Sequence, residues 1–545
     1  MAEAKRRFSN KKTALELQGA DLRYFYRLPF SERRLVLMAL DLLAVNGALL
    51  LALAMRPGYG LDGTLVLRHP LWFLLLSLLW LLIAQTFDAY DPRVVRQFSS
   101  SVQAVLQAGL ITAGAYLLIP YVTPALPTSR SSLLAFPLLA VGALLAGRGL
   151  YRVVLTQPAL CRRALIIGAG WAGRTIAEAL AEHGDGTYQV VGFVDDDPAK
   201  LGRGAWEPGG VGAWERGSEG AEEQRGRGAE EQRGEARENS PLHLCTPVPQ
   251  HPRSEGTPVP PPPGTSAPPL VLGNRYSLPA LIRQHRVDTL ILAITHDVNG
   301  DLLQILMDCL ELGVEIVPMP VLYEQLTGRV PVEHVGSNWY VAMPLSHPLT
   351  RTFNRMIKRA MDIVLASLGM LFLAFFFPFI ALAIYLDSPG PIFYTQERVG
   401  EGGRIFKAYK FRSMVPDAEK GRAVWAQEND PRVTRVGRIL RRTHVDEFPQ
   451  FLNILKGEMS AVGPRPERPE FVEELAREIP FYRVRHAVRP GMAGWALVKY
   501  GYASSKEDAL VKLQYDLFYI KHWSPWLDIV ILLKTVLDTV TLRGR

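Results

Sequence analysis

The chain has 545 residues, 48% of them apolar, and carries 61 Lys and Arg against 53 Asp and Glu, a net charge of +8. That length leaves room for several domains. The scattered Cys161, Cys245 and Cys309 exclude a disulfide framework or a cysteine metal site, and no nucleic-acid reader motif accompanies the basic charge, which suits the anionic face of a membrane instead.

Lys5, Arg6, Arg7, Lys11, Lys12, Arg23, Arg27, Arg33 and Arg34 make residues 1–34 a basic segment. Four apolar runs follow within 35–155: Leu35 to Met55, Pro70 to Phe87, Val102 to Val122 and Leu133 to Val154. Each is near the length that crosses a bilayer, and without amphipathic pattern they predict four transmembrane helices rather than core helices. Their number and length argue against a cleaved signal peptide. Arg148, Arg152, Arg162 and Arg163 gather at the end of the fourth run, so both ends of the bundle read as cytoplasmic.

Residues 160–345 read as an α/β, Rossmann-like middle domain. A strand at Ala164 to Ile167, a turn with Gly168, Gly170 and Gly173, a helix at Thr175 to Glu182 and a strand from Gln189 ending before Asp195 follow the order of a dinucleotide-binding unit. In such a unit the glycines admit a pyrophosphate and the acid meets a ribose. Strand and helix signals at Thr289 to Ile294, Leu302 to Leu312 and Val314 to Val317 extend the alternation of a parallel sheet. Within 201–269 the apolar pattern disappears: GAWE recurs at 204 and 212, GAEEQRG at 220 and 228, TPVP at 246 and 257. These repeats cannot bury a core and predict a disordered insertion.

A fifth apolar segment, residues 361–386, is interrupted by Pro378. Arg351, Arg355, Lys358 and Arg359 precede it and Arg398, Arg404, Lys407 and Lys410 follow, so both flanks read as cytoplasmic. A re-entrant hairpin broken at Pro378 meets that condition; a spanning helix does not. Further on, Asp446 and Glu447 stand before a short apolar helix that Pro449 would open and Gly457 would close. Arg441, Arg442 and Arg465 supply planar cations for phosphate oxygens, and a carboxylate pair can hold Mg²⁺. The C-terminal run Leu527 to Leu542, preceded by Trp523 and Trp526, predicts an amphipathic helix whose pattern suits a core or a membrane interface alike, the preceding apolar segment favouring the interface.

Six stretches carry a resemblance over residues 355–545: KRAMDIVLASLG (358–369), SPGPIFYTQERVG (388–400), FKAYKFRSM (406–414), RRTHVDEFPQ (441–450), KGEMSAVGPRP (456–466) and HAVRPGMAGWALV (486–498). In these the chain resembles the bacterial sugar transferases, the monotopic polyprenyl-phosphate glycosyl-1-phosphate transferases. The resemblance implies a C-terminal, α-rich α/β transferase domain at 351–545 with a re-entrant membrane helix, in a multi-domain, multi-pass protein of the bacterial inner (cytoplasmic) membrane whose catalytic part faces the cytoplasm. It implies UDP-sugar and undecaprenyl phosphate as substrates, with the sugar left open, and Asp446 as a nucleophile that forms a phosphosugar ester with release of UMP. Glu447 would assist with Mg²⁺ or proton transfer, so that both acids are metal candidates. Lys410, Arg441 and Arg465 would grip phosphates, with Pro466 completing a Pro-Arg-Pro turn.

His444 stands where the family commonly has a small polar residue and reads as local variation. NAD or another dinucleotide in the middle domain is not required for this chemistry, and a homodimer is compatible with it. Two other readings use the glycine loop. One is a membrane-bound, NAD-dependent nucleotide-sugar dehydratase or epimerase, for which Tyr502 and Lys506 have the spacing but lie in the wrong domain. The other is a nucleotide-sensing transport regulator, which leaves residues 355–545 unexplained.

Overall fold

The computed structural model describes residues 30–56, 64–126, 129–155, 161–184, 186–202, 269–294, 300–332, 352–416, 418, 430–501 and 505–541. The basic segment up to residue 29 and nearly all of the low-complexity insertion lie outside these residues.

All four N-terminal apolar runs are helices: α1 (Phe30–Ala54), α2 (Pro70–Thr86), α3 (Phe98–Leu118) and α4 (Arg130–Leu155). By length and composition α1, α3 and α4 can cross a membrane. α2, opened by Pro70, has 17 residues, the lower limit for a span. α1 packs on α4, α4 on α3 and α3 on α2, around Leu53, Leu76, Trp80, Val105, Tyr116 and Leu144. Leu43, Leu74, Leu110 and Leu138 stay exposed on the outside, the inverse of a water-soluble bundle. A charge in such a setting must be paired, and Arg148 Nη2 of α4 meets Asp41 Oδ2 of α1 at 2.7 Å, both buried. Asn46 Nδ2 donates to Ser77 Oγ at 2.9 Å, tying α1 to α2.

The middle domain is a five-stranded parallel sheet, formed by β1 (Arg162–Ile167), β2 (Tyr188–Val194), β3 (Val271–Gly273), β4 (Thr289–Leu292) and β5 (Glu315–Pro318) in the order β3-β2-β1-β4-β5. Helices α5 (Trp171–His183), α6 (Leu278–His285), α7 (Gly300–Glu311) and α8 (Met319–Thr327) accompany it. Apolar clusters on either side of the sheet include Ile166 with Ile176 and Leu322, and Leu165 with Leu281 and Leu306. The insertion leaves after β2 and returns into the edge strand β3, and Gly202 N–H donates to Val271 O at 3.0 Å across the gap.

In the C-terminal domain α9 (Thr352–Asp387) runs for 36 residues. β6 (Phe393–Val399) and β7 (Ile405–Phe411) form an antiparallel hairpin. Then come α10 (Arg435–Arg442), a 3₁₀ turn Val445–Gln450, α11 (Phe451–Lys456), β8 (Ser460–Val462), α12 (Pro469–Glu478), β9 (Gly491–Ala493), α13 (Trp495–Lys499), α14 (Lys506–His522) and α15 (Pro525–Val540). The break expected at Pro378 is absent, since α9 continues through it. Proline removes one donor and crowds one carbonyl, a local defect that the flanking turns absorb. Both ends of α9 are fastened to the same domain. Near its start Lys358 and Arg359 donate to Val462 O at 2.8 Å and Ile454 O at 2.6 Å, and at its end Asp387 Oδ2 accepts the Val436 N–H at 2.8 Å. Between them Leu371, Phe375, Phe379 and Leu386 are exposed.

α15 is amphipathic as expected, and it is shared. Val530 and Ile531 are buried, while Trp526 Nε1 donates to Gln85 Oε1 at 2.6 Å and Lys534 pairs with Asp88 at the end of α2. Lys499 also reaches Asp88, at 2.9 Å. Glu324 of α8 accepts from Lys521 at 2.8 Å and lies 2.9 Å from His522 Nε2. The C-terminal helices thus contact both other regions.

Replacing Asp41 or Arg148 alone by alanine leaves a buried charge without its partner, and is expected to lower stability in detergent by on the order of 3 kcal/mol. The Asp41→Ala/Arg148→Ala double variant should lose clearly less than the sum, as read from thermal unfolding in a double-mutant cycle.

Candidate active site

After α10 the chain reverses at His444, held in the left-handed region at φ 56, and the Glu447 N–H donates back to His444 O at 3.2 Å. The two acids therefore sit in a 3₁₀ turn, not in the first turn of an α-helix. Pro449 lies within that turn and cannot donate the bond an α turn would need. α11 follows directly, closed by Gly457 at φ 85.

Lys410, at the end of β7, and Arg465, in the loop after β8, converge on Glu447. Lys410 Nζ is 2.7 Å and Arg465 Nη2 2.6 Å from Oε1, and Arg465 Nη1 is 3.3 Å from Oε2. Burial pushes the Glu447 carboxyl up, but Arg465 and Lys410 outweigh it and hold it well below the usual carboxylate range. Asp446 has the opposite fate. It is equally buried, and among the described residues its carboxylate has no hydrogen-bonded partner. Burial, reinforced by the negative charge of Glu447, raises it to about 6 against the pull of Lys410, Arg441 and Arg465.

Arg441 stands slightly apart, its Nε donating to Ser413 Oγ at 2.9 Å. Pro466 contributes through its backbone, its carbonyl accepting from Arg398 Nη1 at 3.0 Å. Of the residues expected to grip phosphate, Lys410 and Arg465 touch the acid pair, Arg441 acts on it through space, and Pro466 shapes the loop. Arg398, Ser413 and Arg485 are support that motif reading did not single out. Arg485 is buried, donating to Arg465 O at 3.0 Å, Asp516 Oδ2 at 2.8 Å and Tyr482 OH at 2.6 Å. A buried arginine leaves no periodic trace in a sequence, so its only signal was its place in a stretch rich in arginine. The His444 imidazole, half-buried, is lowered by burial and so favours its neutral form.

The donor set suits a hard divalent ion that takes one or two carboxylates and leaves its other positions to phosphate oxygens and water. Among the described residues no group of three or more His, Cys, Asp and Glu forms a fuller cage. The turn also touches the apolar helix, with the Phe448 ring 6.0 Å from that of Phe372 on α9.

In the middle domain Gly168 (φ 102) and Gly173 meet so closely that a Cβ on Gly173 would lie 2.0 Å from Gly168 O. Asp195 does not stand open for a ribose. Its Oδ2 accepts the Ala169 N–H of the glycine loop at 2.7 Å and lies 3.2 Å from Lys200 Nζ, while Oδ1 accepts the Asp197 N–H at 3.0 Å. The spacing places an acid there, and the loop itself engages it. Gly170 is the N-cap of α5 and has open space beside it.

A family model described as bacterial sugar transferase matches residues 353–542, and one described as a CoA-binding domain matches 85–207. The chain is 42% identical over 198 residues to the exopolysaccharide production protein PSS of Rhizobium leguminosarum bv. phaseoli, a match covering 97% of that protein and 35% of this chain. The chain belongs to the bacterial sugar transferase family.

Two longer-range matches within the family are informative. The chain is 42% identical over 245 residues, 45% of its length, to the UDP-N-acetylgalactosamine-undecaprenyl-phosphate N-acetylgalactosaminephosphotransferase of Aeromonas hydrophila. It is 43% identical over 201 residues, 36% of its length, to the UDP-glucose:undecaprenyl-phosphate glucose-1-phosphate transferase of Escherichia coli (strain K12). The chain spans about half the length of these two relatives, 57% and 43%.

Asp446→Asn removes a buried charge that no described residue neutralises by direct contact. Asp446 has its folded-state value raised from 3.8 to about 6, so its cost is absent below about pH 4, grows as pH rises and is complete above about pH 6. The variant is expected to be more stable than the parent at pH 7.5, by about 1–3 kcal/mol, and indistinguishable from it near pH 4. Thermal unfolding at the two pH values measures this. Glu447→Gln has the opposite sign, because it leaves Lys410 and Arg465 facing each other.

Proposed function

We propose that this chain transfers a sugar-1-phosphate from a UDP-sugar to undecaprenyl phosphate at the cytoplasmic face of the bacterial inner membrane, initiating a polysaccharide or glycoconjugate. The observation that carries the reading is the contrast within the acid pair: Glu447 is neutralised by two cations, while Asp446 beside it is buried and hydrogen-bonded by none of the described residues. A carboxylate of raised basicity is the better nucleophile, and at about 6 it is still ionised at neutral pH. The names of the relatives supply the substrate classes.

In this mechanism an Asp446 oxygen attacks the β-phosphorus of the donor. The bond from that phosphorus to the bridging oxygen breaks, and UMP leaves with the bridging oxygen. An oxygen of undecaprenyl phosphate then attacks the same phosphorus and displaces Asp446, giving the lipid diphosphosugar. Lys410, Arg465 and Arg441 are the cations available to the phosphate oxygens, and Glu447 keeps Lys410 and Arg465 in place. A Mg²⁺ held by Asp446 and Glu447 would supply further positive charge for the donor diphosphate. Two steps at one site let a soluble donor and a lipid acceptor react in turn.

α9 is proposed to dip into the membrane from the cytoplasmic side and come back to it, the donor missing at Pro378 letting the continuous helix bend without breaking. The support is that both of its ends are pinned to one domain while its middle exposes large apolar side chains. The dehydratase reading gains no support from Lys506, which pairs with Glu474 and Glu478 on the surface; Tyr502 lies outside the described residues.

Purified protein in lipid, given undecaprenyl phosphate and a panel including UDP-glucose, UDP-galactose and UDP-N-acetylgalactosamine, is expected to release UMP with one or more donors. Asp446→Asn should lower the rate at least a thousandfold and acquire no sugar-phosphate mass adduct. In the parent, log kcat/KM should rise with pH through about 6, where Asp446 ionises. An unchanged rate in Asp446→Asn overturns the mechanism.

A further inference from the structure

α10 sits beside the end of α9 and has two unlike faces. Leu440 is buried with Leu373 and Ile384 of α9 and Phe411 of β7, and Val436 packs against the same cluster. Gly437 lies so close to the strand end that a Cβ would be 2.0 Å from Ser413 O. The start of the helix is tied to the last residue of α9 by the Asp387 carboxylate, which accepts the Val436 N–H. The orientation of α10 is therefore fixed relative to the apolar helix.

The other face carries Arg435, Arg438 and Arg442, all exposed, with Ile439 among them at 64% exposure. Positions 435, 438, 439 and 442 follow helical spacing, so they form one stripe. Among the described residues none of the three arginines lies within ion-pairing distance of a carboxylate. A row of arginines with one protruding aliphatic side chain is the pattern of a helix seated at headgroup level, cations on phosphates and the apolar side chain between acyl chains. A soluble acidic peptide would satisfy the arginines but not Ile439, nor the apolar face of α9 alongside.

The geometry points to the arginine stripe of α10 as a docking surface for anionic phospholipid headgroups of the leaflet that α9 enters. It concentrates phosphate-bearing lipid next to Arg441 and the acid pair. This rests on the membrane reading of α9, and the test separates the two.

In full-length protein with Cys161, Cys245 and Cys309 replaced by alanine, a single cysteine is introduced by Ile439→Cys or, as the control on α9, by Phe375→Cys. Each is labelled with a bimane fluorophore and reconstituted in phosphatidylcholine vesicles containing phosphatidylglycerol, with bromine quenchers on the chains of one lipid or the other. The label at 439 is expected to be quenched several-fold more strongly by brominated phosphatidylglycerol, since each arginine near the surface favours anionic lipid by roughly fivefold. The label at 375 should be quenched by both without preference. Arg435→Gln/Arg438→Gln/Arg442→Gln should abolish the preference at 439 while quenching at 375 persists, which shows the protein still inserted. Equal quenching at 439 by both lipids, no quenching there while 375 is quenched, or a preference that survives the triple variant overturns the proposal. Loss of quenching at both positions overturns it together with the membrane reading of α9.

Discussion

An apolar helix of 36 residues keeps one register on its domain only if something strong and directional holds it, because apolar contacts alone would let it slide or rotate. The Lys358 ammonium provides that hold. It is buried and donates to Asp528 Oδ2 at 2.6 Å, Val462 O at 2.8 Å and Tyr519 OH at 3.2 Å. Tyr519 in turn donates to Asp528 Oδ1 at 2.8 Å and Trp523 Nε1 to Oδ2 at 3.1 Å. One point thus joins α9, β8, α14 and α15, and the satisfied donors and acceptors offset the desolvation of the two charges. Ser460 and Ala461 add a second fastening, both donating to Asp362 Oδ1. β8 leads straight into the loop of Arg465, so the register of the apolar helix and the position of a cation on Glu447 are set by the same network.

Around that anchor the domain divides its carboxylates by environment. Glu447 and Asp446 are chain neighbours with similar burial, yet among the described residues one is matched by two cations and the other by none in direct contact. The turn produces this split: in a tight 3₁₀ turn adjacent side chains diverge, so one faces Lys410 and Arg465 while the other is left with only the more distant field of the arginines. Arg485 extends the arrangement inward, linking the Arg465 backbone to Asp516 on α14. α14 also carries Lys521 and His522, which meet Glu324 of the middle domain, so the Arg465 loop and the α/β domain are joined through one helix.

Much of this was legible in the sequence. The four apolar helices, the first strand-helix-strand unit of the parallel sheet and the neighbourhood of the acid pair follow from run length, glycine placement and the mix of acids with arginines. What escaped has physical reasons. Pro378 reads as a breaker because propensity counts the donor it removes, whereas a long helix loses only that one bond. β3 has three residues, too short to show alternation. Asp195 has the spacing of a ribose ligand, but spacing does not say that a neighbouring backbone N–H will engage it first. The roles of Lys358 and Arg485 depend on burial far from their place in the chain, and no local pattern marks a lysine that is to be enclosed.

The hydrogen bond from Gly202 to Val271 has a consequence for chain length. It sutures the two points where the chain leaves and rejoins the middle sheet, so the sheet is indifferent to how much polypeptide lies between them. Doubling such an excursion adds only about 0.6 kcal/mol of closure entropy. This seam is where added or removed sequence would disturb the pairing of the middle sheet least, and where a reporter domain could be spliced in.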